Sequence, residues 1–341
     1  MAASKHLAMA LLFCAALLPL PGRAQDKPVS LKFSYWVPAA HPLAKPFNEW
    51  ARDIEAASGG SIKITLFPAE QLGKAFDHYD MTRDGIADLA YVNPGYQPGR
   101  FPVIAAAQLP FVFSEARNGS AALDEWYRAY AGKEMADTHF CFAFIHDPGA
   151  FHSRLKITVP GDIAGLKVRP AHSTMAEFVK SLGGTNVQGS APEVRELLDR
   201  GVADAVTFPW GSVFLFGIDK VVKFHLDLPL YATVFTISMN AKVYEGMSEA
   251  QKKNIDAHCS TEWAEKIGGA WGDFEAAGRE KMRGLPGHEM TKPDAAQTEA
   301  WKKAAAPLVA SWAEAVKKTD VDPDAAMAAF RAAMVKHGAD K

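Results

Sequence analysis

The chain lacks the signatures by which enzymes of the common secreted and cytosolic classes announce themselves. It has no Gly-x-Ser-x-Gly elbow to raise a nucleophile and no His-Glu-x-x-His pair to hold a metal. It has no Cys-x-x-Cys redox pair and no Gly-x-x-x-x-Gly-Lys phosphate cradle. The eleven histidines are scattered, and carboxylate pairs such as Glu193/Glu196 read as the solvated face of a helix. Charge of one sign is also missing. With 37 basic and 39 acidic residues the formal net charge is −2, so no basic stripe invites nucleic acid or anionic lipid. Cysteine is scarce at three, and beyond the N-terminus no apolar run is long enough to span a bilayer. Low-complexity linkers and short tandem repeats are absent too.

What is present begins with an address. Lys5 and His6 precede an apolar stretch from Leu7 to Leu18, broken by Pro19 and Pro21, and Gly22-Arg23-Ala24 offers small residues where a signal peptidase cuts. Residues 1–24 therefore read as a secretory signal cleaved after Ala24, leaving a soluble periplasmic chain. Cys14 lies inside the apolar stretch after Phe13, which is no lipid-attachment context, so it leaves with the signal. Cys141 and Cys259 remain. An oxidising compartment permits a disulfide between them. Two buried free thiols fit the sequence equally well.

The length of 341 residues suffices for two core-bearing lobes. Leu31–Trp36 reads as a strand and Pro42–Ala57 as a helix with Leu43, Phe47, Trp50 and Ile54 at helical spacing. Gly59-Gly60 stops the helix, and Ile62, Ile64 and Leu66 alternate as a half-buried strand. A helix over Ala75–Arg83 and a strand over Ala87–Val92 follow. The pattern recurs from Gly165 to Thr207, and Thr233–Met239 adds a further β run. From Ser248 onward the chain is helical, in segments Gln251–Glu280, Asp294–Lys318 and Asp324–Lys336. The expectation is an α/β protein with sheets flanked by helices.

The ends of these strands carry an aromatic and polar set: Trp36 and His41, Asn93 and Tyr96, Arg169 and His172, Phe208 and Trp210. Ligands in open α/β sheets bind beyond the carboxyl ends of strands. Arg169 stands out, because a guanidinium presents a planar fork of donors that fits a carboxylate and keeps its charge. Each residue has a plain alternative: Trp36 and Phe208 as core, Tyr96 and Arg100 as loop braces, Arg169 as half of a structural ion pair. His152 and His172 are evenly balanced between site and scaffold.

Four stretches, taken in order, resemble a known family over almost the whole mature chain. They are Leu31-Lys32-Phe33 with Ser58–Ile64, Phe67-Pro68-Ala69-Glu70-Gln71-Leu72-Gly73, Asp84–Leu89, and Asp162–Arg169 with Leu182-Gly183-Gly184, Glu193-Val194 and Gly201–Asp204. The family is the DctP-like periplasmic solute-binding proteins of tripartite ATP-independent periplasmic (TRAP) transporters. The resemblance implies a two-lobed periplasmic-binding-protein-like fold with mixed sheets, a long bracing helix and a helical C-terminus. Lobe I would hold residues 25–146 plus 234–274, and lobe II residues 147–233 plus 275–341. It implies a carboxylate clamp at Arg169 and ligand contacts at Trp36, Asn93 and His172; Tyr96, His152, Phe208 and Trp210 join the candidate contacts from the reading of the residues themselves. It implies a binding protein rather than an enzyme, with no cofactor and no metal. The partners would be a small organic acid and a membrane permease, with no nucleic acid. The chain is expected to be a monomer, its C-terminal helix packing at home or swapping between copies. A binding module for a sensor kinase and a secreted enzyme are the competing readings.

Departures from the family bear on the ligand. Gly149 stands where sialic-acid-binding members carry a second arginine, and Phe208 replaces an asparagine before Pro209. Trp36 replaces a polar residue. The expected ligand is an aromatic or branched monocarboxylate, since a buried sugar acid would leave hydroxyls unpaired.

Overall fold

The computed structural model describes residues 26–340. The signal segment 1–24 and its cleavage after Ala24 lie outside the described residues. The chain runs through β1 (Val29–Ser34), α1 (Ala44–Ala57), β2 (Ile62–Phe67), α2 (His78–Arg83), β3 (Leu89–Val92), α3 (Ala116–Glu134) and β4 (Thr138–Ile145). It continues through β5 (Ala150–Ser153), β6 (Lys167–Arg169), α4 (Ser173–Ser181), β7 (Thr185–Asn186), α5 (Val194–Asp199), β8 (Ala205–Phe208), α6 (Trp210–Leu215), β9 (Phe224–Leu226) and β10 (Val234–Asn240). The last part is α7 (Ala241–Glu245), α8 (Glu249–His258), α9 (Thr261–Arg283), β11 (Glu289–Thr291), α10 (Ala295–Ala305), α11 (Pro307–Val316) and α12 (Pro323–His337).

Two mixed sheets result. The first has the order β2-β1-β3-β10-β4, with β10 antiparallel to both neighbours. The second has the order β11-β9-β5-β8-β6-β7, with β5 antiparallel to β8 and β9. Helix α1 covers the first sheet as its spacing foretold: Leu43, Phe47, Trp50 and Ile54 are all fully buried. Burying each such side chain contributes about 1.5–3 kcal/mol. Phe47 and Trp50 meet Phe33 of β1 at ring-centroid distances of 5.0 and 5.8 Å.

The sheets are joined by two strands of chain that cross side by side. β4 leads out of the first sheet to β5, and the segment before β10 leads back. Gly149 N donates to Tyr231 O at 2.8 Å and Leu230 N to Gly149 O at 3.1 Å across this crossing. The 23-residue helix α9 braces both layers, packing on α3 and β4 on one side and α6 on the other. The helical run from Gln251 is two helices, not one. Ser260 caps α9 at Trp263 N, and Cys259, at the break, is bonded to Cys141 of β4. The disulfide closes a loop of sequence separation 118, which constrains the unfolded chain by about 4–5 kcal/mol. Of the two alternatives open in the sequence, the bonded pair is the one formed.

The helix α12 lies against α3 of its own chain. Among the described residues no helix is long and apolar enough to cross a membrane.

Candidate functional site

The carboxyl ends of β1, β3, β6 and β8 face one another around a small cavity. Arg169, the last residue of β6, is 2% exposed and reaches into it. Its Nε donates to Gly189 O at 2.8 Å and its Nη2 to Tyr96 Oη at 3.0 Å. Among the described residues it makes no ion pair. Its guanidinium carbon lies 5.9 Å from the Phe208 ring centroid. A buried charge without a counter-ion is costly, so this arrangement calls for an anion.

Tyr96 belongs to the loop after β3 and holds Arg169 from the other sheet. Its hydroxyl also accepts from Ala191 N at 2.9 Å. Asn93 ends the same strand. Its Oδ1 accepts from Gly95 N at 2.9 Å and its Nδ2 donates to Ala171 O, across the sheets, at 3.5 Å. Trp36, two residues past β1, stacks on Tyr91 at 5.0 Å with an interplanar angle of 28°. Its indole Nε1 is buried and has no hydrogen-bond partner among the described residues. Phe208 closes the opposite wall, edge-on to Phe216 at 5.4 Å.

Five of the eight residues singled out in the sequence thus meet at one cavity: Arg169, Trp36, Asn93, Tyr96 and Phe208. Three do not line it. His172 caps α4, its Nδ1 accepting from Met175 N at 3.2 Å. His152 sits behind the wall on β5, where its Nε2–H donates to Phe208 O at 3.0 Å and its Nδ1 meets His225 Nδ1 at 2.7 Å. Trp210 packs edge-on against His152 at 4.8 Å. All three follow strand ends or line strands near the clamp; their side chains turn into the scaffold because backbone donors and ring packing claim them first. Arg100 lies away from the cavity, bonded to Asp80 and placed over the Tyr79 ring.

Tyr231, Phe235 and Trp271, which little in the sequence marks out, also line the cavity. Tyr231 and Phe235 flank the crossing into β10. Trp271 lies in mid-helix, and the glycines around it (Gly268, Gly269 and Gly272) were the available sign of close packing. His41 and His146 line it as well. Burial holds them well below the ordinary histidine value, at about 3 and about 4. His172 and His152 are lowered by burial to about 3 and about 4.

Beside the cavity Glu275 of α9 is fully buried. It accepts from Gly211 N at 2.5 Å, Ser212 N at 3.0 Å, Ser212 Oγ at 2.5 Å and Trp271 Nε1 at 2.6 Å. It thereby ties the start of α6 to α9. Burial still raises its carboxyl to about 7. Among the described residues no group of three or more His, Cys, Asp or Glu is placed to hold a metal ion.

Comparison with known proteins places this geometry. Residues 33–315 match the model of the bacterial extracellular solute-binding protein family 7, DctP. A TRAP periplasmic solute-binding protein from Bordetella bronchiseptica, solved with bound (R)- and (S)-mandelate, is 31% identical, with a TM-score of 0.85 over 91% of this chain and 99% of its own. A TRAP solute-binding protein from Rhodoferax ferrireducens, solved with copurified benzoate, is 27% identical, with a TM-score of 0.85 over 91% and 98%. A third, from a marine metagenome and specific for aromatic acids, was solved with 3-hydroxybenzoate. It is 29% identical at a TM-score of 0.84, over 91% and 99%.

Proposed function

Since this chain belongs to family 7 of the bacterial extracellular solute-binding proteins, the solute-binding proteins of TRAP transporters, we propose that its cargo is a small aromatic or branched monocarboxylate. One observation carries the proposal: Arg169 is buried, unpaired and walled by Trp36, Phe208, Phe235 and Trp271. The guanidinium takes the carboxylate and the rings take the apolar body. The ligands of the mandelate-, benzoate- and hydroxybenzoate-bound relatives support this choice. Ligand caught between the two sheets stabilises their closed arrangement by its greater affinity for it. The closed protein then hands its cargo to a membrane permease, without chemical change.

The division into moving parts follows the crossings. Lobe I comprises residues 25–146 plus 234–274, and lobe II residues 147–233 plus 275–341, with α12 packing against α3. Hinge motion falls near His146, Val234 and Phe274. The carboxylate contacts come from Arg169, and Trp36, Asn93, Tyr96 and Phe208 shape the pocket. His152, His172 and Trp210 act from behind it.

Titration calorimetry on the refolded, ligand-free protein tests the reading. Benzoate and mandelate are expected to bind, and the sugar acids gulonate and galacturonate are expected to bind far more weakly or not at all. Tight binding of the sugar acids with no arene or branched carboxylate bound would overturn it.

A further inference from the structure

The polar groups around the cavity divide by charge. Arg169 is the cation among its described lining residues. The two histidines beside it are neutral by their bonding. His146 Nε2 accepts from Thr233 N at 3.2 Å while its Nδ1–H donates to Asp147 O at 2.5 Å. His41 Nδ1 accepts from Leu43 N at 3.3 Å. The cavity therefore offers a single positive charge, and a carboxylate has two oxygens to satisfy.

Tyr231 is placed to supply a second donor. Its ring is 2% exposed, and among the described residues its buried hydroxyl proton has no acceptor. Buried hydroxyls are nearly always paired, so an orphan on the wall of a ligand cavity needs a reason. The ring is also held firmly. It stands edge-on to His146 at 5.7 Å and to His172 at 5.5 Å. Position 149 is reserved for it: a Cβ there would sit 2.8 Å from Tyr231 Cε1 and Cζ and 2.8 Å from Phe208 O. Only glycine leaves the ring where it is. Arg169 is close enough for its charge to act on the phenol, against the upward pull of burial. Thr207 Oγ1 accepts from Ala171 N at 2.8 Å, and its own proton can turn toward the phenol oxygen, which leaves the phenol's proton for a ligand.

We propose that the Tyr231 hydroxyl is the second donor to the carboxylate held by Arg169, so that the clamp consists of one charged and one neutral donor and admits monoanions only. This rests on the reading of the cavity as a carboxylate site. A dianion such as phthalate would bring a second charge into a closed space with no second cation to meet it. Tyr231 lies on the crossing between the sheets, paired with Gly149. Ligand bound to it is bound to the hinge itself.

The test is Tyr231→Phe, which removes one oxygen and keeps the ring. Calorimetry with benzoate and with (R)-mandelate should show affinity lowered roughly 10- to 150-fold, the usual range for one hydrogen bond to a charged group. The melting temperature of the ligand-free variant should equal or exceed that of the parent, because among the described residues no acceptor takes the phenol's proton. Phthalate should give no heat with the parent chain. Affinity within twofold of the parent, or a ligand-free melting point that falls together with affinity, overturns the proposal. Loss of binding in Arg169→Ala alongside unchanged binding in Tyr231→Phe sinks this inference and leaves the carboxylate reading standing. Failure of the parent chain to bind either acid sinks both.

Discussion

At the scale of single residues, the decisive fact is a charge that the protein buries without neutralising. Arg169→Ala should therefore act on binding far more than on folding. The carboxylate would remain buried and unpaired, at a cost of about 2–5 kcal/mol, or roughly 30- to 4,000-fold in affinity. Calorimetry with benzoate measures it, and urea unfolding of the ligand-free variant should show stability no lower than the parent's. A loss below tenfold would remove Arg169 from the clamp. The residue was legible in the sequence because it closes a short strand and precedes a proline, a place where a side chain faces a cleft. His172, one turn further, looked similar and is a helix cap instead. Nothing in the spacing distinguishes an imidazole aimed at solvent space from one aimed at Met175 N.

At the scale of elements, the contact that unites the two layers is α6 against α9. Gly211 and Gly278 face each other there. A Cβ on Gly278 would strike the backbone of Gly211, and one on Gly211 would lie 2.6 Å from Phe274 O. Gly278→Ala gains up to about 1 kcal/mol of helix propensity. Forcing two backbones apart costs about 1–3 kcal/mol, and the second effect should win. Urea unfolding should register a net loss, and a variant as stable as the parent would show that the interface yields freely. The elements themselves were readable to different degrees. α1 has a clean apolar stripe. α3 does not: the first half of its buried face is Ala116, Gly119, Ser120, Ala121, Ala122 and the carboxyl of Asp124, with Leu123, Trp126 and Tyr127 beside and after it. That half packs tightly because it is small, and small residues carry little hydrophobic periodicity. Asp124 is satisfied by Arg128 Nε at 2.7 Å, Ala143 N at 2.9 Å and Thr261 Oγ1 at 2.6 Å. Each of those partners comes from the fold or the next turn.

At the scale of the whole molecule, five buried histidines set the response to acid. His41, His146, His152, His172 and His225 are lowered, chiefly by burial, to about 3, 4, 4, 3 and 2. Part of this set forms a continuous chain. His225 Nδ1–H donates to His152, His288 Nδ1–H donates to His225 Nε2 at 2.9 Å, and Lys223 Nζ donates to His288 Nε2 at 3.1 Å. Every ring in it is neutral by its bonding. The unfolded chain takes up protons near pH 6.5 and the folded chain does not. Their contribution to stability is therefore complete above pH 6.5 and is lost as pH falls toward the folded values. Each contributes a slope of about 1.4 kcal/mol per pH unit in that window. Glu275, raised to about 7, works in the opposite sense: the stability it lends is present below its unfolded value and is lost as pH rises to about 7. Asp124, Glu134 and Asp147, also raised by burial, share its sign. Between pH 6.5 and 5 the five histidines outnumber the four carboxylates that oppose them. The ligand-free protein should melt progressively lower as pH falls from 7 to 5. A melting temperature that is flat or rises over that interval would contradict the burial of these rings.

The sequence by itself determined the α/β class, the order of most strands and helices and the family, and it singled out Arg169. Those depend on local periodicity, on turn chemistry and on motifs carried in one stretch of chain. The tertiary structure decided that Cys141 and Cys259 are bonded, and that Tyr231, Phe235 and Trp271 stand with Arg169 around one cavity. It also turned His152, His172 and Trp210 into its supports. These outcomes depend on the meeting of β4 with the α8–α9 junction and of two sheets across a crossing. They arise from close approach between segments far apart in the chain, where a missing Cβ at Gly149 or Gly278 matters as much as any side chain that is present.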